Sequence, residues 1–389
     1  MDTVEVWAKL LYEFLVSRKW EHRVCSDCGN VFFAKGRNET KVCQRGKCSH
    51  DPLKFLSLSK RRIPLSVSMV AENLKTAFRT SGYAFVDAVS VTAAIGATDL
   101  IGAGVQSLEP VLFGKELPTS DSQFLLQPSI RMKHFGSSKH TEGNSTAFVN
   151  ICSLHVKDSF ERHLKHLDFW LQALSELGLF MGNVTLMCRT SDEDWGNGPF
   201  RQFEVFVIYG GLELGDASYG FLPTQKNGVI SVSDIGFGLE RITWAVSKLP
   251  SYFDLLRPIT FGFLLDKHCH DALRTAALLM HCGVEMSNVG VGFQLRKLCR
   301  AIVEERVGTF EACELLRYYC DFWSRFLEHR KSSLWVVETC QKEIARLTQA
   351  GITNALKVPR SEQETTEAYA ARLVYNLGVP VGSIRKVLS

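Results

Sequence analysis

The sequence predicts an α+β protein, in which an antiparallel sheet flanked by helices is preceded by a small four-cysteine module and followed by an all-helical domain. Three observations lead there. Runs of β type follow one another in hairpin fashion between residues 83 and 233, and the last enters a glycine-rich turn and a helix directly. Past Pro258 strand signals nearly vanish while helical spacing continues. Four cysteines stand in two close pairs near the start. The expected divisions are residues 1–60, 61–258 and 259–389.

Bulk properties set bounds without choosing a function. A chain of 389 residues that is 46% hydrophobic can bury about two to three cores. Its formal charge of +4 is too small to demand a polyanion, yet 45 basic side chains can still gather on one face. The longest apolar runs, around Leu174 to Met181 and Ala276 to Met280, fall short of the roughly 18 to 20 residues that span a bilayer, so no membrane partner is expected. The first twenty residues lack the three-part plan of a signal peptide, and a cytoplasmic location is expected. Cysteines scattered through apolar helices (Cys269, Cys282, Cys299, Cys313, Cys320) suit small core residues in a reducing compartment.

Val4, Trp7, Leu10, Leu11, Phe14 and Leu15 recur at helical spacing and predict an opening helix. Cys25 and Cys28 are then followed, after fourteen residues, by Cys43 and Cys48. Each pair can wrap one edge of a tetrahedral ion while the loop between makes a hairpin, with Gly29 and Gly46 supplying backbone freedom and His50 able to replace one sulfur. Four protein ligands make this a structural Zn²⁺ site, holding about forty residues that are too few to fold on an apolar core.

Val67, Val70, Leu74 and Phe78 predict a helix ended by Ser81 and Gly82, and Tyr83 to Val91 reads as a strand. Gln123 to Met132 and Ala147 to Val156 are β-type runs joined by a long polar tip. A leucine-rich helical stripe from Phe160 to Leu177 follows, then strands over Val184 to Cys188, Gln202 to Tyr209 and Val229 to Ser233. Leu265 to Leu388 reads as five or six helices.

Gln127-Pro128-Ser129-Ile130-Arg131 resembles motif 2 of class II aminoacyl-tRNA synthetases, and Asp234-Ile235-Gly236-Phe237-Gly238-Leu239-Glu240-Arg241 resembles motif 3 in the alanyl branch of that family. The cysteine pairs have the spacing found ahead of the catalytic domain in archaeal-type alanyl enzymes. Asp194 to Pro199, Glu204-Val205 and Gly211 to Leu214 follow the same branch in the same order. The resemblance implies a class II synthetase sheet and an ATP-dependent ligase that activates a small amino acid, alanine, as an aminoacyl adenylate and transfers it to the acceptor stem of a tRNA. It covers nearly the whole chain but about half of the family's usual architecture. The editing domain and tail lie outside it, so mischarged products would not be cleared in cis. Two rival readings are a paralogue that activates an amino acid for a carrier protein or a natural product, and a non-catalytic RNA-binding relative.

By the same resemblance, Arg131 holds the α-phosphate and the attacking carboxylate, Arg241 the γ-phosphate, and Mg²⁺ accompanies the phosphates. A planar, permanently charged guanidinium suits both tasks. Gly236 and Gly238 admit the nucleotide close to the backbone, and Phe148 stacks on adenine. Asp234 pairs with the substrate ammonium, Trp195 walls the amino-acid pocket, and Asp216 is a second carboxylate where the family has a neutral residue. Two further departures are Val149, in place of an acidic residue, and Asn144 and Ser145, where a basic residue is usual. In the helical part, Asn288 is expected to reach a base edge while Arg296, Lys297 and Arg300 meet phosphates, and Asn376 stands for the family's aspartate near the close of the domain.

Overall fold

The protein is described here from a computed structural model. It describes residues 3–375 apart from 37, 59–64, 95, 97, 113–121, 136–142, 195–197, 225–227, 257–265, 305–308, 329, 356–360 and 362–363. The chain forms two compact units: residues 1–130, 141–144 and 148–256 in one, and 131–140, 145–147 and 257–389 in the other.

The first unit is built on a nine-stranded sheet. Its elements are helix α1 (Thr3–Ser17), strands β1 (Trp20–Val24) and β2 (Val31–Lys35), helix α2 (Val67–Thr80), the short strand β3 (Ala84–Phe85), a 3-10 turn at Gly104–Leu108 leading into α3 (Glu109–Leu112), and strands β4 (Ser122–Ile130) and β5 (Ala147–Val156). Then come α4 (Phe160–Glu176), β6 (Val184–Asp194), β7 (Pro199–Tyr209), β8 (Leu212–Pro223), β9 (Val229–Gly238), α5 (Leu239–Ser247) and α6 (Tyr252–Leu256). Spatial order is β1-β2-β6-β7-β8-β9-β5-β4-β3. β1–β2, β2–β6, β6–β7, β7–β8, β8–β9 and β9–β5 pair antiparallel, and β3 pairs parallel with β4.

Side chains alternate between the two faces of a strand, so each register row lies on one face. Ser153, Ser233, Phe237 and Tyr219 point toward α4. There Trp170, fully buried, donates its indole N–H to Ser153 at 2.8 Å, lies 4.7 Å from the Phe237 ring and 4.6 Å from Phe78 of α2, and Phe160 meets Tyr219 edge-on. Ser159 caps α4 by accepting from the Arg162 N–H, and Ser66 caps α2 likewise through Met69. On the opposite face, the turn at Gly104–Leu108 and α3 cover one end with Val105, Leu108 and Leu112, packed on Leu154, Val156, Leu222 and Val232.

Several sequence expectations change here. Tyr83 to Val91 forms a strand only over Ala84–Phe85, because beyond Val86 the Gln127 side chain takes over the pairing, accepting from Val89 N–H at 3.0 Å and donating to its carbonyl at 2.8 Å. β8 was not expected: its glycines and Asp216 obscure the alternation, and its hairpin with β7 turns on Gly210 and Gly211 at φ of 52° and 90°. The cysteine-bearing segment contributes β1 and β2 to the end of the large sheet, β2 pairing with β6, so Phe32 and Ala34 share a core with Met187, Phe206 and Ile208.

The second unit is helical: α7 (Lys267–His281), α8 (Gly290–Glu304), α9 (Thr309–Trp323), α10 (Ser333–Ala355) and α11 (Thr366–Tyr375). α7 is its axis, buried from Cys269 to His281. Arg274, 1% exposed, lays its guanidinium over Phe322 and Trp323 at 4.3 and 4.4 Å. Asp271 accepts from the Thr146 N–H at 2.7 Å and from its hydroxyl at 2.5 Å.

Candidate functional site

Several residues expected from the sequence gather on the sheet face opposite α4. Register places Arg189, Glu204, Ser218, Asp234 and Leu154 abreast in one row, and Met187, Phe206, Asp216, Gly236 and Cys152 in the next. Asp216 and Asp234 are therefore diagonal neighbours on one face. Asp216 is not left as a bare second carboxylate, since Ser218 donates to its Oδ2 at 2.9 Å and the Arg189 cation lies within its field. Arg189 itself pairs with Glu204 at 2.7 Å, which holds the guanidinium above its usual range, the hydrogen bond outweighing the cost of desolvation.

Gly236 and Gly238 continue the lane toward α5. A Cβ at Gly236 would press on Asn150 Nδ2 at 3.1 Å, so this glycine keeps the backbone close to Asn150, whereas one at Gly238 would make only ordinary contact with Arg241 Cδ at 3.5 Å. Asn150 ties two segments together, accepting from Gly104 N–H at 2.6 Å and donating to the Phe237 carbonyl at 3.2 Å.

Arg241, in the first turn of α5, donates Nε to the Gly143 carbonyl at 2.7 Å, one terminal nitrogen to the Glu213 carbonyl at 3.0 Å and the other to Asn144 Oδ1. All three acceptors are neutral, so the guanidinium is oriented without a hydrogen-bonded carboxylate among the described residues. The nearby Glu213 carboxylate is taken by Arg45 at 2.9 Å, and Arg45 also lies over the Phe206 ring at 3.4 Å. Asn144, found where the resembling family has a basic residue, thus orients Arg241. Val149, replacing an acidic residue, gives its N–H to both oxygens of the buried Glu240 at 3.1 Å.

Arg45 belongs to the cysteine loop. The sulfur atoms of Cys25, Cys28, Cys43 and Cys48 lie within 4.8 Å of one another, with Cys28 exposed and the others buried. Gly29 and Gly46 take φ of 72° and 54°, the left-handed turns a knuckle needs. Burial works against the Cys25 thiolate, but N–H groups of Cys43, Asp27 and Cys28 bring its pKa down to about 6. Burial, with neighbouring thiols adding to it, pushes Cys43 up to about 11 and Cys48 higher still. Four sulfur donors gathered on two left-handed turns are a set suited to a tetrahedral divalent cation. The residues fit Zn²⁺. His50 does not replace a sulfur, because its Nε2 is engaged with Asp27 Oδ2 at 2.5 Å.

Arg131 directly follows β4 and is exposed, and Phe148 is half-buried at the start of β5. In the helical unit Phe135 stacks on His268 at 4.5 Å, with the Lys297 ammonium 5.7 Å above its ring. Lys297 and Arg300 are exposed on α8. Arg296 turns inward to Glu343 at 3.4 Å and donates to Asn288, so the basic face offers two outward cations rather than three. Trp195 and Asn376 lie outside the described residues. Sequence reasoning gave no role to Arg45, Asn150, Arg189, Glu204 or Ser218. Glu204 stood in a quoted motif, Arg189 just past a predicted strand and Ser218 two residues from Asp216, whereas Arg45 and Asn150 act through contacts distant in the chain.

No family model matches the chain. It is 25% identical over 260 residues to an alanine–tRNA ligase of Methanosphaera stadtmanae, covering 64% of this chain and 27% of that protein. Similar ligases of Methanospirillum hungatei (24% over 263 residues, 63% and 28%) and Korarchaeum cryptofilum (24% over 267 residues, 66% and 29%) align as well. Among solved structures, a pyrrolysyl tRNA synthetase of Desulfitobacterium hafniense overlaps 54% of this chain and 76% of its own at 18% identity, with a TM-score of 0.36. No described helix is long and apolar enough to cross a membrane. The chain is thus similar to alanine–tRNA ligases over about two thirds of its own length, and it spans less than a third of theirs.

Proposed function

We propose that this chain condenses a small amino acid, alanine, with ATP to give the aminoacyl adenylate and pyrophosphate, and passes the aminoacyl group to the 3′ end of a tRNA. One observation carries the reading: Arg241 is held by three neutral acceptors beside the Gly236–Gly238 lane, in a segment shared with alanine–tRNA ligases. Attack of a carboxylate on the α-phosphorus builds negative charge on phosphate oxygens, and a cation already oriented stabilises it without reorganisation. In this reading Arg241 takes the γ-phosphate, Arg131 takes the α-phosphate and the attacking carboxylate, Phe148 stacks on adenine, and Mg²⁺ neutralises the phosphates. Asp234 takes the substrate ammonium, with Trp195 limiting the pocket and Asp216, bound to Ser218, lining it. Zn²⁺ on the four cysteines fixes Arg45, which occupies Glu213 and so keeps that carboxylate away from Arg241. Lys297 and Arg300 contact RNA phosphates, and Asn288, oriented by Arg296, faces a base; Asn376 is proposed to bind the same RNA.

The test is ATP–pyrophosphate exchange with a panel of amino acids, followed by charging of total tRNA. Exchange strongest with alanine, and a tRNA-linked product, are expected. No exchange with any amino acid would remove the adenylation step, and exchange without a tRNA product would remove the transfer.

A further inference from the structure

On the sheet face toward α4, away from the lane just described, a second cluster of ligating side chains has no part in adenylation. His155 ends β5, Asp158 precedes α4, and His166 lies within α4. One ligand atom from each falls within 4.8 Å of the others. His155 is 1% and Asp158 5% exposed.

The far side of each group is anchored. His155 Nδ1 is 3.0 Å from the Ser122 hydroxyl, and His166 Nδ1 is 2.7 Å from that of Tyr83. Asp158 Oδ1 accepts from Ser159 N–H at 3.0 Å and lies 3.2 Å from Arg162 Nε. The near sides are held less well. His155 Nε2 is buried without a hydrogen-bond partner among the described residues, while His166 Nε2 and Asp158 Oδ2, whose bonding geometry is poor, lie 3.1 Å apart as an ion pair that, against burial, helps hold the Asp158 carboxyl below its usual range. Buried polar atoms are seldom left so poorly bonded. Three of them gathered within 4.8 Å, two being imidazole nitrogens whose other nitrogen is held by a hydroxyl, resemble the way outer hydrogen-bonding groups hold histidine ligands near a metal.

The structure assigns to His155, Asp158 and His166 a site for a divalent transition-metal cation of the zinc class, which pins the end of β5 to the first turns of α4. Two imidazoles and one carboxylate suit such an ion and leave one tetrahedral position for water. The two rings stack 3.5 Å apart at an interplanar angle of 9°, so their lone pairs run side by side and one ring must tilt for both to meet the ion. The carboxylate supplies the charge that makes a buried cation tolerable.

The chain already has a thiolate site, so the test must tell the two apart. The full-length protein is loaded with ¹¹³Cd²⁺ and its cadmium spectrum recorded. A resonance at high field, as nitrogen and oxygen ligands give, is expected beside the strongly deshielded one of four thiolates, and zinc content after dialysis should approach two ions per chain. His166→Gln should remove the high-field resonance and leave the thiolate one. A folded wild-type protein that shows the thiolate resonance alone overturns the assignment, and this spectrum decides even if the variant fails to fold. Survival of the high-field resonance in the His155→Gln, His166→Gln double variant overturns it equally.

Discussion

Replacement of Arg241 by alanine separates a positioned cation from a structural one. Its side chain is half-buried, and of its three acceptors Asn144 and Glu213 belong to half-buried residues within reach of solvent while Gly143 is buried. Net hydrogen bonds of this kind contribute about 0.5–1.5 kcal/mol each, and rehydration recovers most of that at the first two, so the melting temperature should move by only a few degrees. The catalytic loss should be far larger. Removing one preorganised charge stabiliser from a developing oxyanion costs about 10²–10³ in rate, roughly 3–4 kcal/mol. Arg241→Lys keeps the charge but cannot serve three acceptors and a phosphate with one ammonium, and it should recover only part of the activity. The assay is pyrophosphate exchange at varied ATP alongside a thermal melt of each variant. Exchange unchanged in Arg241→Ala, or a fall fully matched by loss of folded protein, would refute the argument that the neutral acceptors leave the charge for ATP.

Other consequences are as direct. Asn150→Ala leaves the Gly104 N–H without its buried acceptor, and at about 1–3 kcal/mol for such a group it should lower the unfolding midpoint and speed amide exchange around Gly104. In the helical unit, Asp271→Ala strips the buried Thr146 N–H and hydroxyl of their acceptor together, and a loss of about 3 kcal/mol is expected in denaturant titration. Chelation of zinc, or Cys43→Ser, should release Arg45 along with the knuckle. Exchange activity is then expected to fall, and proteolysis between residues 25 and 48 to quicken, with both restored by added Zn²⁺ in the wild type alone. His163 is fully buried, its pKa pushed down to about 3 by burial first and His166 second. Because the unfolded chain binds the proton near pH 6.5, the stability held by neutral His163 is complete above that pH. It is lost as pH falls toward 3, at up to about 1.4 kcal/mol per unit. The slope of unfolding midpoint against pH below 6.5 should be shallower in His163→Phe.

Local chemistry wrote several features directly into the sequence. The α2 and α4 stripes were legible because one helix face must be apolar at a fixed period, and the two cysteine pairs because a tetrahedral ion needs thiolates at short spacing. The lane ending in Gly236, Gly238 and Arg241 was legible as a motif. Tertiary structure alone decided what those groups face. Asp216 gains Ser218 across one residue of strand, Asn144 orients an arginine 97 positions away, and Arg45 removes Glu213 from the lane across 168 positions. It also turned Arg296 inward to Glu343, and it brought His155 and His166 face to face around Asp158. Such pairings follow from sheet register and helix docking, which depend on the whole core packing at once. A charge in the sequence reveals its sign, but its partner is chosen by the fold.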